Sequence, residues 1–405
     1  MEQASSATET SRRLPAHHGG HSRIPPHLPA APRRKSRAAL EAVAELLAEA
    51  DVTVGGDRPW DLRFHHPDTA ERILARGSLG LGEAYMEGWW DCDRLDEFFT
   101  RVLSARLDEK VASGTLIMAG LRARLFNLQT VRRAWQVGKE HYDIGNDLFE
   151  AMLDEHMAYT CGYWAEADNL ADAQTAKLDL ICRKLGLAPG MKMLDIGCGW
   201  GSLMRYAARE YGAHCSGVTV SKEQAEYGAA RCEGLPVEFL LKDYREIDGR
   251  FDRIASVGMF EHVGQKNYRT YFEVARRVLA DDGLFVLHTI GKNRRGVPTD
   301  PWIERYIFPN GALPALGEIA DTAEPFFVIE DVHNFGADYD RTLMAWHANF
   351  EAAWPRLSEK YDERFYRMWR YYLLACAGTF RARTTQLWQV VLSPNGVPGS
   401  YRSPR

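Results

Sequence analysis

No stretch of this 405-residue chain approaches the ~20 consecutive apolar residues needed to cross a bilayer. No charged-then-apolar leader opens it either. Both absences predict a cytoplasmic protein that at most lies on the inner face of the membrane. Cysteine pairs are also missing. The seven thiols (Cys92, Cys161, Cys182, Cys198, Cys215, Cys232 and Cys376) are odd in number and show no CxxC or CxxxC spacing. That excludes a disulfide framework and a Cys-rich zinc site, and predicts reduced thiols and no metal. Internal repeats are absent. What remains is ordinary globular composition, 45% hydrophobic and 26% charged, long enough for two or three domains of ~100–200 residues.

Charge is distributed unevenly. Residues 1–37 hold seven basic side chains against Glu2 and Glu9, a net of +5, which leaves −10 for the rest of a chain whose total is −5. Five prolines, four histidines and few large apolar residues share that opening. It cannot bury enough surface to offset its ordering entropy, so it reads as a disordered basic tail, either a solubilising extension or a tether for an anionic surface. From residue 38 the pattern changes: Leu40, Val43, Leu46 and Leu47 recur at helical spacing. Further on, Gly77, Gly80 and Gly82 predict turns beside an aromatic cluster of Tyr85, Trp89 and Trp90. Residues 113–137 read as an amphipathic helix, with Ile117, Leu121, Leu125, Leu128 and Trp135 on one stripe.

Residues 141–394 alternate in a βα rhythm. Strands are predicted at 191–196, 214–220, 237–241, 251–257, 284–290, 326–331 and 387–392, with helices at 203–210, 222–231 and 267–279. This is an α/β pattern: a mostly parallel, Rossmann-like sheet with helices on both faces, plus a smaller, mainly helical amino-terminal domain. Pro298, Pro301, Pro309, Gly311 and Pro314 punctuate an insertion at 292–325, placed to cap the carboxyl edge of the sheet.

Gly197, Gly199 and Gly201 follow the strand that ends in Asp195 and Ile196, with Cys198 and Trp200 between them. Glycine at every second position lets the backbone approach a ligand, and the next helix aims its N-terminus at it. GxGxG after an aspartate leans away from NAD. It resembles the first motif of class I S-adenosylmethionine-dependent methyltransferases. The acid expected about 20 residues on for a ribose is replaced by Thr219, Val220, Ser221 and Gln224. Asp243 and Tyr244, just past the third strand, suit an adenine: a carboxylate for its amine and a ring to stack.

Larger segments extend the likeness. His141 to Phe149, Tyr159-Thr160-Cys161-Gly162-Tyr163-Trp164, Gly258 to Gly264, Leu287 to Gly291, Phe335 to Tyr339 and Ala375 to Gly378 resemble cyclopropane-fatty-acyl-phospholipid synthases. The likeness runs from about residue 38 to 392 and includes the amino-terminal domain. The resemblance implies methylene transfer from S-adenosylmethionine to the cis double bond of an unsaturated phospholipid acyl chain, with peripheral membrane attachment and no nucleic acid partner. It leaves a homodimer open. It implies that Tyr159 and Thr160 join the cofactor site. It further implies that the base is a bicarbonate held by Cys161, Glu261, His288, the main chain of Ile290 and Tyr339.

Chemistry supports such a site. An alkene is a feeble nucleophile, so positioning against a sulfonium methyl must carry the reaction. The resulting cation needs a dry pocket walled by aromatic faces. A base must then take a proton from the added methyl group for the ring to close. Cys376 reads chiefly as a packing residue with a lesser catalytic claim. Two enzyme readings compete: a methyl-branched or methylene product from the same cation, and an N- or O-methyltransferase for a small polar substrate. A non-catalytic lipid- or nucleic-acid-binding protein is the third. For membrane contact, Arg364, Arg367 and Arg370 with Trp369 and Tyr372 read as an interfacial helix face, alongside the tail and the 113–137 helix. The predicted organisation is a disordered tail (1–37), a lipid-associated domain (38–112), a helical linker (113–140), the catalytic domain (141–394) and a flexible end (395–405).

Overall fold

Seven strands form one sheet around which the carboxyl-terminal part of the described chain is built. A computed structural model describes residues 34–110 and 145–405; the expectations for the 113–137 helix and for His141 to Ile144 lie outside the described residues. The amino-terminal region comprises α1 (Arg34–Ala48), β1 (Arg63–Phe64), α2 (Thr69–Met86), β2 (Trp90–Asp91), α3 (Leu95–Ser104) and a short α4 (Leu107–Lys110). Then come α5 (Asn146–Met152), α6 (Leu170–Leu185), β3 (Lys192–Ile196), α7 (Ser202–Tyr211), β4 (His214–Thr219), α8 (Lys222–Arg231), β5 (Val237–Leu241) and β6 (Phe251–Val257). They are followed by α9 (Tyr268–Val278), β7 (Leu279–Lys292), α10 (Pro301–Tyr306), α11 (Leu316–Ala323), β8 (Val328–Asn334), α12 (Ala337–Leu357), α13 (Glu363–Arg381) and β9 (Thr385–Ser393). The strand order is β5-β4-β3-β6-β7-β9-β8. β3 to β7 pair in parallel, and β9 and β8 close the edge antiparallel. The predicted mostly parallel sheet and helical amino-terminal region are both present.

Four sequence expectations are corrected. The basic tail does not extend to residue 37. α1 begins at Arg34, and buried Ser36 donates to Glu71 at 3.1 Å. Gly77, Gly80 and Gly82 are not loop turns but lie within α2, which kinks once, at Gly77. A Cβ on Gly80 would strike the Arg72 carbonyl, and one on Gly82 would strike the Trp302 ring. Those two glycines therefore serve close packing. The Arg367 and Arg370 face does not meet a membrane. Arg367 donates to the Trp90 carbonyl (2.8 Å) and to Asp91 (2.6 Å), and Arg370 to the Tyr85 hydroxyl (2.6 Å). Trp369 and Tyr372 are buried. Finally, the 395–405 end is fastened, because Arg405 and Ser403 hold Asp331 and Tyr401 donates to the Lys184 carbonyl at 2.8 Å.

The insertion joins the two halves. Trp302, fully buried, points its Nε1 at Met86 Sδ (3.3 Å), with its ring 4.4 Å from Tyr371. Trp302→Ala is expected to cost about 3–5 kcal/mol, the usual range for emptying a large aromatic site. Denaturant unfolding measures it, and a loss under about 1 kcal/mol would mean the insertion is not clamped there.

Candidate active site

Parallel strands deliver their carboxyl ends to one edge, and the sequence-predicted residues gather there. Past β3, Gly197, Gly199 and Gly201 all take positive φ (87°, 53° and 80°). A Cβ on Gly197 would come within 2.5 Å of Met259, and one on Gly201 within 2.5 Å of Phe239. At Gly199 it would meet nothing within 4 Å. Packing requires the first and third glycines, while the second faces open space. Asp195, 2% exposed, keeps Oδ1 without a partner, and burial raises its carboxyl to about 7. Cys198 is buried with its thiol toward the Gly199 carbonyl, and Trp200 donates to Asn146 at 3.0 Å. A glycine loop with vacant space, a helix N-terminus and an unpartnered carboxylate oxygen fits S-adenosylmethionine, which brings an ammonium and a sulfonium.

At the end of β4, Thr219, Val220, Ser221 and Gln224 build the turn into α8. Thr219 Oγ1 donates to Gln224 Oε1 (3.3 Å) and accepts from the Ser221 amide (3.1 Å), while Ser221 Oγ accepts from the Gln224 amide (3.2 Å). With its backbone N–H and Oε1 both bonded within the turn, Gln224 keeps its side-chain Nε2 for a ligand. Asp243 departs from the expected free carboxylate, since Arg245 holds both its oxygens at 2.9–3.0 Å. The buried Tyr244 ring lies beneath the same guanidinium, with its hydroxyl unpartnered.

Glu261 sits on a short turn (Phe260–His262) after β6. Its Oε1 accepts from the Ile290 amide at 2.7 Å, and Oε2 has no partner. Burial raises this carboxyl to about 7. His288, on β7, is 1% exposed, and Nδ1 lies 3.2 Å from the Gln389 amide nitrogen. That amide donates, which makes Nδ1 the acceptor and places the proton on Nε2, itself unpartnered. Burial pushes the imidazole down, so it stays neutral. Cys161 is fully buried, and burial raises its thiol. Tyr339 stacks on Phe380 at 4.5 Å and has Cys161, Glu261, Tyr159 and Cys376 as electrostatic neighbours.

A cavity of about 1070 Å³ reaches this cluster and extends between the sheet and the amino-terminal region. Tyr159, Thr160, Glu261, Ile290, Tyr339 and Cys376 line it; Cys161, His288, the glycine loop and Asp243 do not. Its far wall is apolar and belongs to α1, α2 and α3, among them Leu46, Ile73, Leu81, Phe99 and Val102. The Tyr159 and Tyr372 hydroxyls bond each other at 2.9 Å, and burial lifts the Cys376 thiol to about 12. The nucleophiles at the wall are thereby paired or held protonated.

Sequence reading missed the brace behind the site. Gln174 and Lys177 of α6 fasten the 158–160 segment: the Gln174 amide donates to the Thr160 carbonyl (2.8 Å), and Lys177 Nζ to Thr160 Oγ1 (2.9 Å). Thr342 binds the Gly162 amide (3.1 Å) and Trp164 Nε1 (2.8 Å). The available signal was a polar pair inside the apolar stripe of α6, both residues being buried.

The chain is similar to known proteins over most of its length. A family model described as mycolic acid cyclopropane synthetase matches residues 129–390. The chain is 58% identical over 364 residues to the cyclopropane-fatty-acyl-phospholipid synthase of Escherichia coli (strain K12), covering 89% of this chain and 94% of that protein. It is 33% identical to a tuberculostearic acid methyltransferase of Mycobacterium tuberculosis, covering 83% of this chain and 84% of the relative. Among solved structures, a mycolic acid cyclopropane synthase complexed with SAH and CTAB superposes with a TM-score of 0.61 at 33% identity. That match covers 64% of this chain and 97% of the other.

Proposed function

The chain belongs to the mycolic acid cyclopropane synthetase family of S-adenosylmethionine-dependent methyltransferases, and from that premise we propose how it adds a methylene group to an unsaturated lipid. The substrate is the cis double bond in a phospholipid acyl chain, and the product carries a cyclopropane ring. The observation that carries this reading is the pair of orphaned buried atoms, Glu261 Oε2 and His288 Nε2, together with a cavity of about 1070 Å³ that Glu261 lines and whose far wall is apolar.

S-adenosylmethionine, when bound, supplies an electrophilic methyl group. Gly199, Asp195, Gln224 and the Asp243–Tyr244 turn would hold it, with Tyr159 and Thr160 toward the cavity. Tyr159, Tyr339, Tyr371, Tyr372 and Phe380 line the cavity wall, where aromatic rings would stabilise positive charge on the chain and exclude water. Bicarbonate fits the other orphans. The Tyr339 hydroxyl and His288 Nε2–H would donate to the anion, and Glu261 Oε2 would accept its one proton. The Ile290 amide is taken by Glu261 and its carbonyl accepts from Thr289 Oγ1 at 3.0 Å, so the main chain of Ile290 would act on the anion by fixing Glu261. Bicarbonate there would supply a base of low nucleophilicity. Analysis of phospholipids from a host expressing the protein tests the function: acyl chains should gain one CH2 per double bond consumed, and unchanged lipids would refute it.

Attachment to the membrane is peripheral in this reading, and no helix among the described residues is long and apolar enough to cross one. With α1 starting at Arg34, the segment ahead of it carries four arginines against two glutamates, a net of +2. Each such charge contributes ~1 kcal/mol near an anionic leaflet. Deleting residues 1–33 should therefore weaken binding to anionic vesicles by about 30-fold at low salt, with the difference fading as salt rises. Co-sedimentation unaffected by the deletion at low ionic strength would reduce the segment to a spacer.

A further inference from the structure

Two arginines occupy an unusual backbone position beside the cavity. Arg106 follows α3 and Arg383 follows α13, with φ of 55° and 61°. Their amides close the ends of these helices on the carbonyls of Leu103 and Phe380, each at 3.0 Å. This left-handed position after a helix is normally filled by glycine, because a side chain there strains the backbone. Strained residues persist where the surroundings fix them, and they concentrate at functional sites. The Arg383 turn is fixed in this way: its carbonyl accepts from Asn293 (2.7 Å) and Gln386 (3.0 Å).

Both arginines line the cavity, and both are exposed. The other cationic side chains of that lining, Lys292 and Arg294, are engaged, and so are Asp108 and Asp300. Lys292 Nζ donates to the Val297 and Pro298 carbonyls, and Asp300 caps α10 through the amides of Trp302 and Ile303. Asp108 and Arg294 have partners of their own. Among the described residues, no hydrogen bond, ion pair or ring contact engages the guanidinium of Arg106 or Arg383. An apolar cavity with uncommitted guanidiniums where it meets solvent matches a ligand with a long hydrocarbon chain and an anionic head.

We propose that Arg106 and Arg383 form a subsite for the phosphodiester of a glycerophospholipid, engaged as its acyl chain occupies the cavity. The inference rests on the lipid methylene-transfer reading above and adds the group by which a phospholipid is told from other unsaturated lipids. Neither arginine touches the reacting carbons, so the effect falls on substrate binding.

Arg106→Gly and Arg383→Gly are suitable variants, because glycine relieves the strained φ and should leave the melting temperature unchanged or higher. The assay uses full-length protein and unsaturated phosphatidylglycerol dispersed in a neutral detergent, with an unsaturated diacylglycerol in the same detergent as the phosphate-free control. KM for phosphatidylglycerol should rise about tenfold per arginine removed, with kcat unchanged. KM for diacylglycerol should not move. Arg383→Lys should restore part of the loss, and inorganic phosphate should compete weakly with the wild type only. An unchanged phosphatidylglycerol KM in folded variants overturns the subsite, as does an equal loss on both lipids. Failure of the wild type to turn over either lipid overturns the underlying function instead.

Discussion

Glu261→Ala and His288→Ala are each expected to lower kcat for ring formation by about 10²–10⁴-fold, the usual cost of removing a proton-transfer group. Affinity for S-adenosylmethionine should stay within about twofold of wild type. The separation follows from geometry. Glu261 Oε2 and His288 Nε2 are buried and unpartnered, one just past β6 and the other on β7, whereas the glycine loop follows β3. Quenched assays give kcat and calorimetry gives affinity. Near-normal turnover in either variant would place the base elsewhere, and loss of cofactor binding would mean the two sites are not separate.

The same residue sets a pH dependence. Burial raises the Glu261 carboxyl to about 7. Under the proposed bicarbonate reading Glu261 would accept a proton from the anion and must be ionised to do so, so kcat should fall as pH drops below about 7. The neutral His288 donates through Nε2, and burial keeps its own titration well below that window. In Glu261→Gln the acidic limb should disappear from the residual rate. A wild-type profile that stays flat from about pH 6 to 8 would remove Glu261 from this role.

Gly199→Val should abolish S-adenosylmethionine binding, by more than about 100-fold in Kd. A Cβ at this position meets nothing within 4 Å, so the added methyls project into the space reserved for the ligand rather than into protein. The strain of a β-branched residue at φ 53° costs stability of about 1–2 kcal/mol, which a marginal domain survives. Gly197→Ala is the contrast, because its Cβ collides with Met259 at 2.5 Å and the damage there is to folding. Calorimetry on folded Gly199→Val showing wild-type affinity would refute the loop assignment.

Local patterns carried much of this site into the sequence. β3, its glycine loop and α7 are contiguous, and their periods and turn residues agree with one another. β7 was legible from 284 onward, but its first residues were not. The predicted strand starts at 284 and the predicted helix runs to 279, whereas the strand already pairs at Leu279 with Phe251 and slips register before Leu284 meets Arg253. The remaining misreadings concern partners distant in the chain. Gly82 is small because Trp302 packs on it, and Arg367 looked interfacial because Tyr85, Trp90 and Asp91 were not visible beside it. Lys177 reads as a surface lysine until Thr160 folds over it. Spacing along one helix cannot report such contacts.

The central claim is that a proton leaves the transferred methyl group so that a ring closes. Purified protein, unsaturated phosphatidylglycerol and S-adenosylmethionine carrying a trideuterated methyl group test it directly. Mass spectrometry and proton NMR of the product acyl chains should show a cyclopropane that keeps two of the three deuterons, with the double bond consumed. A methyl branch that keeps all three deuterons, or a methylene product that retains unsaturation, would contradict the account.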